Sequence, residues 1–518
     1  MRKDPEVKKL HTWLLSETNN SNILRQELVS MIPVEILKVE PQHAVLDMCA
    51  APGSKTIQII EKLNAKSSTG LVVANEMDAV RANMLAYQTL KLNVHNIVVI
   101  NNDGTKIPEK FSFDRVLCDV PCSGDGTVRK NDAIKKGWTP KYGLKLHRVQ
   151  LNLLLKGLNL LKEDSYILYS TCSMNPIEDE AVVHEALRRF GKAVELVDIK
   201  PFFKDFKVCE GLSDWKVYCK HKKKEDPANW LSSYEEAEKF KLTDRVQKTM
   251  FSDKESIVAH HLERTVRILP HHNNTGGFYV ALLHKKAEAK VELVAEPEAE
   301  TKESQKEAEV EEQKKGESEI PKEKIEEIEQ VSASELSKFV TKYPADWDKI
   351  QSFYNLSETF PKESLYVLGA SKKRIVYFEE PVVKFLEGLK GEEPPVKISF
   401  AGLKVFERIR DAECVVPYRI CFEGLDRFGG FFNRQVLDFE KDVFLKLMDS
   451  FPAPLPTLEE ITKSERLKEL EYGPVIVRCR DFNTPLSFIF WKGIKKSNLL
   501  IGKEEQKYIH RCVFLSEQ

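Results

Sequence analysis

The chain has 518 residues, enough for two or three domains, and its 79 lysines and arginines offset 80 aspartates and glutamates, so charge must be read segment by segment. Ten cysteines without a C-x-x-C pair argue against a disulfide framework or a zinc ribbon and point to a reducing, intracellular setting. No apolar run approaches the roughly 18 residues of a membrane span, and Met1-Arg2-Lys3-Asp4-Pro5 opens no signal-peptide core, so a soluble protein is expected.

Residues from Val7 to Val34 read as helical, with Leu10, Trp13 and Leu14 on one face. A short apolar strand, Ala44 to Met48, leads into a tight loop of small residues, Cys49 to Lys55, and a helix carrying Ile57, Ile59, Ile60 and Leu63. Leu71 to Ala74 is the next strand and ends on Asn75-Glu76; after a helix, Ile97 to Ile100 ends on Asn101-Asn102-Asp103. A further strand ends at Cys118-Asp119 and turns at Pro121 into Cys122-Ser123-Gly124-Asp125-Gly126-Thr127, where no regular element can continue. A leucine-rich helix follows (Leu151, Leu154, Leu158), then a strand from Tyr166 to Tyr169 that precedes Ser170-Thr171-Cys172-Ser173. Strands alternating with helices at this spacing predict an α/β, doubly wound, Rossmann-like domain with a parallel sheet, closed by a last strand over Gly276 to Leu283.

Ala287 to Gln330 holds sixteen glutamates, seven lysines and no aromatic residue, a composition that cannot bury a core. It predicts a charged linker over 287–333. Short strands recur beyond it, at Leu365 to Leu368, Arg374 to Phe378, Val396 to Phe400, Val475 to Arg478 and Phe488 to Trp491, predicting a mainly β accessory domain over 334–518. The first domain is expected over 1–286.

Acids end four successive strands: Asp47, Glu76, Asp103 and Asp119. This is where a doubly wound fold binds a nucleotide-like ligand. The loop Cys49-Ala50-Ala51-Pro52-Gly53-Ser54-Lys55 has neither the glycine spacing of a dinucleotide site nor the G-K-[ST] ending of a phosphate loop. A cofactor with ribose and base but no phosphate fits better, and S-adenosylmethionine is the expected one. Two strand-end thiols, Cys122 and Cys172, accompany Asp119. A thiolate adds readily to electron-poor carbon, and addition at carbon 6 of cytosine makes carbon 5 nucleophilic enough to take a methyl group. An acid near ring nitrogen 3 and the exocyclic amine supports the charge that develops, which suits Asp119.

The runs Asp47 to Thr56, Leu117 to Thr127 and Ser170 to Ser173 with Pro176 resemble the RNA cytosine-5 methyltransferases of the NSun family. Arg25-Gln26-Glu27, Asn175-Pro176-Ile177-Glu178-Asp179-Glu180 and Arg267 to Phe278 look like its eukaryotic transfer-RNA branch. The resemblance spans Arg2 to Lys286. It implies that Cys172 is the nucleophile and Cys122 the thiol that releases product. It also implies that Cys49 through Lys55, Glu76, Asp103 and Asp119 contact S-adenosylmethionine, with Asp119 and Lys55 near the reacting base. Transfer RNA as partner, a PUA-like C-terminal domain, a nuclear or nucleolar location and a monomer follow from the same likeness. Glu76 stands where the family more often has Asp, which predicts a slightly altered reach to the ribose. The branch usually carries an N-terminal extension that helps hold RNA, and the first domain here begins near the start of the chain.

Two other readings compete. A DNA cytosine-5 methyltransferase would use the Pro-Cys thiol Cys122 as its nucleophile, although Thr171-Cys172 and the lack of a long recognition insertion oppose it. An inactive RNA-binding scaffold is the reading without chemistry. Cys118 reads as a buried small hydrophobe, Cys49 as a loop filler, and Cys209, Cys219, Cys414, Cys421, Cys479 and Cys512 belong to no spacing that forms a site. His260-His261 and His271-His272 lack partners at ligand spacing, so no metal is expected. The basic clusters Lys220 to Lys224 and Lys372-Lys373-Arg374 read first as solvated faces.

Overall fold

The computed structural model describes residues 4–19, 23–64, 68–220, 230–294, 331–332, 341–342, 346–368, 372–391, 396–409, 411, 413–479, 481 and 486–515. Two helices open the chain, α1 (Pro5–Asn19) and α2 (Leu28–Leu37), where the periodicity predicts one run. The break has a tertiary cause. Gln26 donates to the Ser54 carbonyl at 2.7 Å and Glu27, extended just ahead of α2, accepts the Gly276 N–H at 2.8 Å.

The alternation then gives β1 (Ala44–Asp47), α3 (Ser54–Asn64), β2 (Leu71–Asn75), α4 (Ala79–Leu90), β3 (Ile97–Asn101), β4 (Phe113–Asp119), α5 (Asp132–Gly137), α6 (Lys141–Leu160) and β5 (Leu161–Thr171). The five strands are parallel, in the order β3-β2-β1-β4-β5. Every residue of β2 and β3 is buried, because helices cover both faces; such strands read as continuous apolar runs. One core joins the sheet to α6 and α7 (Glu180–Phe190), and the other joins it to α2, α3 and α4.

The predicted closing strand is present but antiparallel. β6 (Val194–Leu196) and β9 (Phe278–Lys285) pair, β9 lies antiparallel to β5, and β8 (Val266–Ile268) and β7 (Cys209–Glu210) continue outward. Doubly wound sheets commonly end in such antiparallel strands.

The opposite edge brings a larger surprise. The strand Lys397–Ala401, whose residues the alternation assigns to the accessory region, lies antiparallel to β3, with Lys397 opposite Asn101 and Ala401 opposite Val98. Around this junction Glu379 pairs with His95 at 3.0 Å and accepts from Arg427 at 2.9 Å, and Asn93 donates to Asp426 at 3.0 Å. The remaining predicted strands form two small sheets with their own apolar clusters. One holds Leu365–Leu368, Arg374–Tyr377, Leu403–Arg408 and Tyr418–Ile420; the other holds Val436–Phe439, Gly473–Cys479, Leu486–Lys492 and Asn498–Leu499.

At the end of the first region, residues 291–294 run along α6. The amide of Asn159 exchanges two hydrogen bonds with the Val291 backbone and that of Asn152 two with Val294. Residues 295–330 of the expected linker, and Lys222 to Lys224 of the basic cluster, lie outside the described residues. No helix is long and apolar enough to cross a membrane, and no group of three metal-ligating side chains occurs among the described residues.

Candidate active site

Parallel strands leave their carboxyl ends on one side of the sheet, and neighbouring ends lie about 4.8 Å apart. The observed order therefore lays Asp103, Glu76, Asp47, Asp119 and Cys172 side by side, at or just beyond the ends of β3, β2, β1, β4 and β5. Cys122 follows Asp119 by three residues. The predicted acids and thiols thus line one edge in a fixed sequence, acids first and thiols last.

On the acid side the contacts are local. Asp103 caps the short turn after β3, accepting from the Thr105 N–H at 3.0 Å and its hydroxyl at 2.7 Å. Glu76 is buried and accepts the N–H groups of Ala51 at 3.3 Å and Asp78 at 3.0 Å, with the Arg81 guanidinium 3.7 Å away. Arg81 also donates to the Ala51 carbonyl at 2.8 Å, so the small-residue loop is tied to α4. Gly53 in that loop has φ +111°, a conformation that favours glycine, and a β-carbon there would sit 2.9 Å from Leu85 Cδ1. Asp47 accepts from the Thr56 hydroxyl at 2.8 Å through one oxygen, while its other oxygen is buried without a partner. Burial raises this carboxyl to about 7.

Asp119 stands at the centre. Its Oδ2 is 2.7 Å from Lys55 Nζ and its Oδ1 accepts from the Ser170 hydroxyl at 2.6 Å. Lys55 also donates to Ser30 at 2.9 Å, and its ammonium lies 5.4 Å from the centre of the Phe278 ring. Three strands and α2 therefore converge on one lysine–aspartate pair.

On the thiol side, Cys122 Sγ lies 3.2 Å from Cys172 Sγ, and both side chains are partly exposed. Glycines let the surrounding backbones close on Cys172. Gly126 N–H donates to the Cys172 carbonyl at 2.9 Å, Gly277 N–H donates to the Gly126 carbonyl at 2.7 Å, and a β-carbon on Gly126 would meet the carbonyl oxygens of Cys172 and Gly277 at 2.6 and 2.4 Å. Cys118 and Cys49 differ in kind: burial pushes both thiols well above the ordinary range, which fits the packing roles expected of them.

Residues to which sequence reasoning gave no role hold this side in place. Glu178, Asp179 and Glu180 are all fully buried. Arg267, itself buried, donates to Glu180 at 2.6 Å, lies 3.3 Å from Asp179 and donates to the Met174 carbonyl at 2.9 Å. Asp179 accepts from Thr171 at 2.6 Å, and Asp125 accepts the Met174 N–H at 2.8 Å. Three acids in a row ahead of a helix look like an ordinary solvated helix start, and their burial depends on Arg267, 87 residues from Glu180. Glu27, which pairs with Lys130, and Arg129, which donates to the carbonyls of Pro270 and Thr275 at 3.1 Å each, fasten the Gly124–Lys130 loop from outside.

Comparison with known proteins gives a consistent set of likenesses. Residues 34–284 match the model of the 16S rRNA methyltransferase RsmB/F family, and residues 337–433 match the NSUN2 Pre-PUA domain. The multisite-specific tRNA:(cytosine-C(5))-methyltransferase of Saccharomyces cerevisiae is 34% identical over 98% of this chain and 75% of its own length. The tRNA (cytosine(34)-C(5))-methyltransferase of Drosophila melanogaster is 33% identical over 99% of this chain and 72% of its own. Among solved structures, a methyltransferase homologue from Pyrococcus horikoshii is 26% identical, with a TM-score of 0.35, over 50% of this chain and 67% of its own.

Proposed function

The chain belongs to the family of RNA cytosine-C5 methyltransferases, with S-adenosyl-L-methionine as methyl donor, and from that premise we propose that it methylates carbon 5 of cytosine in transfer RNA through a covalent bond from Cys172 to carbon 6. The observation that carries the reading is the pair of thiols 3.2 Å apart beside the Lys55–Asp119 pair. The transfer-RNA substrate is taken from the relatives' named activities, and a nuclear monomer from the family likeness.

The acid side fits the donor. A ribose-bearing ligand without phosphates needs acceptors for its hydroxyls and a closely folded loop, and Glu76, Asp103 and the Cys49–Lys55 loop offer both. Asp47, with its buried unpaired oxygen, adds a further polar group to this floor. When bound, the donor supplies an electrophilic methyl group.

The chain's own groups do the rest. The target cytosine must leave its stack or lie in a loop to reach a strand-end site, at a cost of a few kcal/mol. The Cys172 thiolate forms a bond to carbon 6, and the ring electrons shift toward carbon 5, which then takes the methyl group. Asp119, oriented by Ser170 and Lys55, faces the exocyclic amine and nitrogen 3, where charge changes during attack. Cys122, as thiolate, removes the carbon-5 proton; the carbon 5–carbon 6 double bond reforms and Cys172 leaves with its electron pair.

A denaturing gel of cysteine variants incubated with transfer RNA and donor tests the roles. Cys172→Ala gives no methylation and no RNA-linked protein, whereas Cys122→Ala methylates once and accumulates an RNA-linked band. The reverse pattern with DNA supports attack by Cys122, and no adduct from either variant beside an inactive wild type supports the scaffold reading.

A further inference from the structure

We propose that Glu178 is a positioning residue that sets the distance between the two thiols, by clamping the loop after β4 to the loop after β5. The proposal rests on the two-thiol reading above for its consequence in catalysis, but its geometric content stands apart from that reading.

The two loops leave a regular ladder. The Val120 N–H donates to the Ser170 carbonyl at 3.1 Å, next to the last paired residues of β4 and β5, and the chains meet again where Gly126 N–H donates to the Cys172 carbonyl. Cys122 lies between those two ties, where Pro121 has no N–H to donate. There the connection passes through Glu178. One carboxyl oxygen accepts the Ser123 N–H at 2.7 Å and the Gln150 amide at 3.1 Å; the other accepts the hydroxyls of Ser123 at 2.6 Å and Ser173 at 2.9 Å. Ser123 immediately follows Cys122 and Ser173 immediately follows Cys172. A single carboxyl therefore holds the residue after each thiol.

The clamp is itself braced. Gln150, on α6, also donates to the Pro121 carbonyl at 2.9 Å. Glycine at position 143, in the first turn of the same helix, is required by the close approach: a β-carbon there would lie 2.1 Å from Asn175 Nδ2 and 3.2 Å from a Glu178 oxygen. The side chain is fully buried, and burial raises its carboxyl against the opposing pull of the Ser123 and Ser173 donors. Its contacts are to positioning groups and not to the reacting atoms, so its effect on chemistry runs through the thiols.

The thiols report on the clamp directly. Diamide takes two electrons and two protons from a thiol pair, forming the disulfide and its hydrazine. The rate of Cys122–Cys172 disulfide formation in the full chain therefore measures how often the sulfurs meet, and alkylation of Cys172 by iodoacetamide measures intrinsic reactivity. Glu178→Gln keeps the volume and one acceptor but replaces the other with a donor. In a folded variant that still binds S-adenosylmethionine, disulfide formation should slow roughly tenfold or more, while alkylation changes less than about twofold. With transfer RNA and donor, turnover should fall and the RNA-linked band should grow, with little change in KM.

A disulfide rate within about twofold of wild type would overturn the clamp, whatever the enzyme methylates. A slowed disulfide with unchanged turnover would overturn its part in the reaction. If Glu178→Gln does not fold, the Ser123→Ala/Ser173→Ala double variant removes the two hydroxyl ties and leaves the carboxyl in place; the same rate criterion decides. An inactive wild type with a normal clamp result would count against the two-thiol reading alone.

Discussion

The acid half and the thiol half of the site share one sheet edge but are held by different means. Asp103 and Glu76 take hydrogen bonds mostly from backbone within two residues or from the adjoining loop. Cys122 and Cys172 depend on Glu178, Gln150, Arg267 and Gly277, which come from three separate stretches. The difference teaches that a surface for a small ligand can be built from local turns. Two sulfurs kept 3.2 Å apart need support gathered from distant sequence.

Breaking the remote support should have the largest effect. Arg267→Met strands Glu180 and Asp179 without their buried partner, and the expected loss is about 3–5 kcal/mol in chemical denaturation. Glu76→Gln is the contrast: stability should change by about 1 kcal/mol, while affinity for S-adenosylmethionine in calorimetry falls about tenfold or more. Equal stability losses in the two variants would end the distinction.

Glycine substitutions sharpen it at the backbone. Gly126→Ala places a methyl within 2.6 Å of the backbone carbonyl oxygens of Cys172 and Gly277, so we expect about 2–3 kcal/mol of destabilisation and loss of turnover with donor binding retained. Gly53→Ala meets only the end of Leu85 but must adopt φ +111°; about 1–2 kcal/mol is expected, with donor affinity lost first.

A separate effect, visible only as pH changes, comes from Asp47 at the boundary. Its folded carboxyl titrates at about 7 against an ordinary 3.8, so the folded chain holds an extra proton between those values. The neutral carboxyl's contribution is fully present below pH 3.8, declines as pH rises and is gone above pH 7. Relative to Asp47→Asn, wild-type stability should drop by about 4 kcal/mol from pH 4 to pH 8. A flat difference would place Asp47 in a more polar setting.

The same contrast explains what was legible in the sequence. Strand-end acids and thiols follow from apolar runs that stop at polar residues, and those positions depend on neighbours a few residues away. Glu178 was visible only as part of a motif, because its ties to Ser123 and Gln150 span 55 and 28 residues. The strand Lys397–Ala401 was legible as a strand but not as a member of the first sheet, since pairing partners leave no trace in local periodicity. The break before α2 was missed because hydrogen bonds from Gln26 and Glu27 to distant backbone override helical propensity.

That borrowed strand carries a consequence for how the protein is made. β3 forms its outer hydrogen bonds with residues about 300 positions later, so a ribosome adding about 5–20 residues per second reaches them about 15–60 seconds after β3 is synthesised. Throughout that interval the nascent domain has an open strand edge, the kind of surface that recruits wrong partners. Synthesis of this enzyme should therefore call for a chaperone that shields extended backbone until the polypeptide has passed residue 401.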